Sequence, residues 1–225
     1  MNNSDQSTKE FILPVTIEEY FRSYRMDELK KYLDVTEKYL KKAKAEFETW
    51  SDEQVEGLPT NQRQEFYDFY QDDYWQYDER FPRILRNSFF VSAISLLEYE
   101  LNLLCSRLKK DYDIRINLSD FRGGTLEQIR KYLQNARLAF PLNNRNWQEI
   151  NNYYKLRNCI VHVNGLVMEL EHKDRINLIP YLKRKGLVSQ DTIKQEIALT
   201  KSFCEEVIGT IQNFLIELEK KITKV

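Results

Sequence analysis

Between Tyr153 and Gly165 the chain reads Tyr-Tyr-Lys-Leu-Arg-Asn-Cys-Ile-Val-His-Val-Asn-Gly. One of only two histidines sits here, with an arginine five residues before it and an asparagine directly after that arginine. Such side chains rarely interrupt an aliphatic, core-like segment without a task. Arg157, Asn158 and His162 suit phosphodiester cleavage without a metal, because RNA carries its own nucleophile, the 2′-hydroxyl. The protein then has to move protons and stabilise charge. An imidazole does the first near neutral pH. A guanidinium makes planar, two-pronged contact with phosphate and stabilises the charge of the transition state. Asn158 would hydrogen-bond sugar or phosphate, or orient His162.

The segment reads as a helix, starting at Trp147 behind an Asn146/Glu149 capping signal and ending at Asn164-Gly165, where glycine suits the left-handed position after the last turn. At about 100° per residue, Asn158 and His162 share a face and Arg157 lies about 140° from His162. Within one chain the two charged groups therefore need help to meet, from a distorted helix end or a partner chain. Cleavage uses both a base and an acid, and a second suitable histidine is missing. His172, in the run Glu171 to Asp174, reads as solvated. Two copies of His162 across a two-fold axis would fill both roles, so a homodimer with a self-complementary interface is expected. The competing structural reading is a histidine satisfied by backbone near a helix end, with Arg157 paired to a carboxylate.

Upstream, Phe90, Ile94, Leu97, Leu101 and Leu104 repeat at spacings of four and three, the buried stripe of a helix. A second stripe runs beside it through Val91, Ser95, Glu98 and Asn102. Glu98 at that boundary is either an ordinary edge carboxylate or the group that orients Arg157 or His162 from a neighbouring helix.

Composition narrows the rest. The 225 residues hold 34 Lys and Arg against 35 Asp and Glu, so no global basic field draws in nucleic acid and any anion binding is local. Six glycines and five prolines speak against a turn-rich β protein. Three cysteines without C-x-x-C spacing point to a reducing compartment, where Cys105, Cys159 and Cys204 pack as small apolar groups. No phosphate loop, nucleophile elbow or zinc-binding spacing occurs, and neither metal nor cofactor is expected. The first ten residues lack a signal-peptide core, and no apolar run is read as reaching the roughly 18 residues of a membrane span. A cytoplasmic protein without membrane attachment is expected.

In order, a helix is expected from Ile17 to Trp50, a break at Ser51–Asn61, and an aromatic, acidic helical stretch from Phe66 to Glu79. Acidic neighbours repel phosphate, so those aromatics read as packing groups, not a base-stacking platform. Pro82 is expected to kink or interrupt the chain. Thr125 and Gln128 signal a helix from Leu126 to Leu138. Past Gly165 a small β-hairpin is expected, with Ile193, Ile197 and Leu199 alternating with Lys194 and Glu196, Leu187-Val188 as its partner strand, and Gln190-Asp191 at the turn. A last helix, Lys201 to Lys221 with Thr200 as N-cap, buries Phe203, Val207, Ile211, Phe214, Leu218 and Ile222.

The run Leu156-Arg157-Asn158, then Ile160-Val161-His162 and Asn164-Gly165, resembles the signature of the HEPN superfamily (higher eukaryotes and prokaryotes nucleotide-binding domains): an arginine, usually followed by a polar residue, and a histidine four to six positions on. Phe89 to Cys105, with Glu98, resembles the preceding helix of such domains. The resemblance spans about Arg83 to Leu218 and implies an all-α HEPN-like helical bundle, placed here at residues 81–225 behind an N-terminal helical extension at 1–80, with the hairpin before the C-terminal helix. It further implies a homodimer whose two motifs face one cleft, and a metal-independent endoribonuclease acting on RNA in phage-defence, toxin or stress systems, alongside an antitoxin or defence partner. Arg157 and His162 would be catalytic, Asn158 auxiliary and Glu98 supporting. Toxin members paired with nucleotidyltransferase antitoxins often carry tyrosine two residues after the histidine, where Asn164 stands here. Other members are non-catalytic modules that bind RNA, nucleotides or proteins, which is the alternative reading.

Overall fold

The computed structural model describes residues 17–189 and 195–222, and over these the protein is an assembly of helices. The longest, α1 (Ile17–Glu56), runs 40 residues, or about 60 Å at 1.5 Å per residue. That outreaches a small bundle, and its two halves behave differently. The first half buries Met26 and Leu33 in the main core. The second half lies beside α2 (Thr60–Phe69), α3 (Gln71–Trp75) and a π-helical turn (Gln76–Arg80), none of which contains a fully buried residue. Aromatic contacts hold this arm together. Phe47 meets the Tyr74 ring at 5.0 Å and Tyr77 at 5.1 Å, and Trp50 meets Tyr70 at 5.2 Å. The aromatic run is thus used for packing between helices.

The π-helical turn leads directly into α4 (Phe81–Asp111), the central helix. Pro82 sits in the first turn of α4, where its missing N–H disturbs little, and the local distortion falls on the wide turn before it. The residue-80 boundary expected from the sequence therefore lies within a continuous helical stretch, 71–111. That stretch contains a window long and apolar enough to cross a membrane, contrary to the reading that none reaches that length. Half of the window is buried inside the fold, as a core helix requires. All five residues of the expected α4 stripe, Phe90 to Leu104, are buried.

After a 3₁₀ turn (Leu118–Asp120) come α5 (Thr125–Asn135), α6 (Arg145–Val163), a second 3₁₀ turn (Val167–Glu169), α7 (His172–Lys185) and α8 (Lys201–Ile222). The expected Thr125 cap is not formed: Gly124 holds the cap position with no side-chain bond, and Glu127 pairs with Arg130 and Lys131 instead. α8 behaves as expected, with Thr200 Oγ1 accepting from the Phe203 amide at 3.1 Å and all six predicted side chains buried. α7 was not foreseen. It buries Leu178, Tyr181 and Leu182 around an internal Pro180.

The hairpin is reduced to two isolated antiparallel bridges, Leu166 to Glu196 and Val188 to Ile197. The segment after Gly165 occupies one side of residues 196–197, with the Ile197 amide donating to the Gly165 carbonyl at 2.9 Å, so no long two-strand ladder forms among the described residues. Ile197 and Leu199 do point inward. Gln190, Asp191, Ile193 and Lys194 lie outside the described residues.

Candidate functional site on α6

α6 is held from beneath and from both ends. Trp147, Ile150, Tyr153, Leu156 and Cys159 face the core, with Tyr153 edge-on to Phe90 and Phe203 and its hydroxyl 3.2 Å from Thr210 Oγ1. The helix begins two residues before the expected start. Asn144, not Asn146, is the cap: its side chain accepts from the Asn146 amide at 2.6 Å and also donates to Glu217 on α8. At the far end Asn164 adopts the left-handed conformation (φ 53°) and Gly165 follows at φ 79°, its amide donating to the Cys159 carbonyl. A positive φ is open to Asn and Gly at little cost, so the chain leaves α6 directly after His162 and Val163.

That stop leaves His162 exposed in the last turn, with Asn158 exposed one turn earlier on the same side. Arg157 is half-buried, and its Nη1 donates to Asn158 Oδ1 at 3.2 Å. This bond draws the guanidinium part of the way across the angle separating Arg157 from His162. Neither Arg157 nor Asn158 hydrogen-bonds His162 among the described residues, and Arg157 forms no ion pair there, so its guanidinium remains available to an anion.

Glu98, half-buried on α4, lies near a residue beside this group that the spacing of the motif did not mark, Tyr154. The Tyr154 hydroxyl lies within electrostatic range of both Glu98 and Arg157. Burial is the main cause that pushes Tyr154 well above the usual tyrosine range; the Glu98 carboxylate adds to it and Arg157 partly offsets it. Yet the buried oxygen has no hydrogen-bond partner of good geometry. Its position one turn before Asn158 was the available signal. An unpartnered buried hydroxyl costs free energy, so Tyr154→Phe is expected to leave stability unchanged or to raise it by up to about 1 kcal/mol, as measured by urea unfolding.

Among the described residues no cluster of His, Cys, Asp and Glu is arranged to hold a metal ion. The three cysteines lie buried in α4, α6 and α8, and desolvation pushes each thiol up to about 12, which suits packing rather than nucleophilic work. His172 is exposed at the start of α7. Fold and site together define an all-α protein with a polar, solvent-facing Arg–Asn–His surface at the end of one helix. No protein-family model, curated protein or solved structure matches the chain.

Proposed function

We propose that the chain is a metal-independent endoribonuclease with a HEPN-like bundle, acting as a cytoplasmic homodimer in phage defence, toxin activity or stress response. The observation that carries this is the accessibility of the motif. His162 and Asn158 stand in solvent, and Arg157 is held by Asn158 instead of a core carboxylate. Arg157 would bind the scissile phosphate, and His162 from each protomer would supply base and acid. Glu98 would support the Arg157 charge electrostatically, across the Tyr154 ring position.

Incubating the purified protein with single-stranded RNA in EDTA is expected to release fragments with 2′,3′-cyclic phosphate ends, because attack by the 2′-hydroxyl leaves that product. Intact RNA, or ends of another kind, would overturn the assignment. The lack of contact between Arg157 and His162 within one chain also fits a non-catalytic RNA-binding module, which would retain RNA without cleaving it.

A further inference from the structure

Beside the last turn of α6, the outer face of α4 forms a groove of about 540 Å³ lined by Arg80, Arg83, Asn87, Val91, Ile160 and Asn164, among others. Ile160 and Asn164 lie three and seven residues after Arg157, on its face of α6, so the groove opens on the Arg157 side of the candidate site and His162 projects from the other side. From Arg83 to Val91 the groove follows about 12 Å of α4, at 1.5 Å per residue.

Three features set this groove apart. No carboxylate lines it, in a chain whose acids outnumber its bases. Two arginines do: Arg80 lies with its guanidinium 4.4 Å from the Trp75 ring, and Arg83 pairs with Glu196. Finally, Asn87 Oδ1 is buried without any hydrogen-bond partner. A buried acceptor left unpaired is costly, and a donor from a ligand would satisfy it once the Asn87 side chain turns its oxygen into the groove it lines.

We infer that this groove is a subsite for the nucleotide next to the scissile linkage of a single-stranded RNA, with Arg80 and Arg83 on its phosphate and Asn87 accepting from its sugar or base. The inference rests on the endoribonuclease reading for its orientation. Among the described residues Arg80 forms no ion pair and can meet a phosphate directly, whereas Arg83 would exchange its Glu196 partner for one. The apolar walls of Val91 and Ile160 suit the flat face of a base. The groove also accounts for how a chain of nearly neutral charge would hold a polyanion: locally, along one helix face.

The test uses a cleavage-inactive His162→Ala chain and fluorescein-labelled eight-residue RNA and DNA strands of one sequence, read by anisotropy across a salt series. Arg80→Ala and Arg83→Gln are each expected to lower the slope of log affinity against log salt by about 0.7, the single-strand value for one phosphate contact. Asn87→Ala is expected to weaken RNA binding about threefold to tenfold, the range for one lost hydrogen bond. If DNA binding is spared, the donor is the 2′-hydroxyl; if both strands weaken alike, it is the base. Unchanged binding in all three variants, with melting temperatures intact, overturns the subsite. So does a change confined to sedimentation, since that assigns the groove to contact between protein copies. Binding that depends on the groove in a protein that never cuts RNA would leave the subsite standing and remove the nuclease reading. Cleavage by a protein with unaltered groove variants would do the reverse.

Discussion

His162→Ala is expected to lower the rate of RNA cleavage by about 10²–10⁴-fold, the usual contribution of a positioned acid–base group. The same substitution should leave helicity and stability nearly unchanged. His162 is exposed, it makes no hydrogen bond to Arg157 or Asn158, and surface changes away from special features stay within about 0.5 kcal/mol. The helix end does not depend on it either, since the left-handed Asn164 and Gly165 make the stop. Loss of activity with an intact fold would thus locate chemistry at the imidazole. Arg157→Ala makes a contrasting case. It removes both the guanidinium and the bond to Asn158, so about 10²–10³-fold is expected from lost charge stabilisation. Arg157→Lys should recover little, because an ammonium cannot reproduce two-pronged contact with phosphate. Initial rates on a short fluorescent RNA, with circular dichroism in parallel, measure all three. Cleavage persisting in His162→Ala would end the assignment.

The parts of this arrangement that depend on local periodicity were legible in the sequence. The α4 and α8 stripes repeat every three or four residues, and the left-handed Asn164-Gly165 stop follows from residue type. So does the shared side of Asn158 and His162. What required the third dimension stayed hidden. The Tyr154 hydroxyl is buried within electrostatic range of Glu98 on α4 and Arg157 on α6, which depends on how the two helices cross. The Asn143–Asn146 run offers several equally suitable caps, and only the reach of Asn144 to Glu217 on α8 selects one. α7 was obscured because Pro180 and a dense set of charges mask the short Leu178-Tyr181-Leu182 stripe. The hairpin pattern was real in its inward-facing Ile197 and Leu199, but alternation says nothing of how many partners a strand will find.

The largest effect on stability is expected at Glu219, a residue with no counterpart in the chemistry. It lies on α8 and receives Arg22 of α1 through two bonds of 2.7 Å, and Arg107 of α4 at 2.6 Å. Arg22 also lies 3.8 Å from Glu100, which accepts from Arg25 at 2.6 Å. The Glu100 side chain is only 4% exposed and that of Glu219 12%. Three helices from distant parts of the sequence are thus tied through one largely dehydrated set of charges. Glu219→Ala leaves two guanidinium groups without that carboxylate, so the cost is expected at about 3–5 kcal/mol. For a chain of this size that lowers the melting temperature by about 6–20 °C. Replacing Arg22 and Glu219 together with methionine should recover much of the loss, because the expense lies in isolating a charge rather than in lacking a pair. The pH dependence follows from the same contacts. Burial alone would push the Glu219 carboxyl up, but the bonds from Arg22 and Arg107 more than offset it and hold it below its ordinary value of 4.5. A carboxyl lowered on folding stabilises the native state above its unfolded-state value and loses that contribution as pH falls through the folded-state value. Thermal melts of the wild type should therefore fall steeply below about pH 4.5. Glu219→Gln, less stable at neutral pH, should show a shallower acid limb. Parallel acid limbs in the two proteins would mean that other carboxylates govern acid unfolding and that this network is not what anchors α1 against α4 and α8.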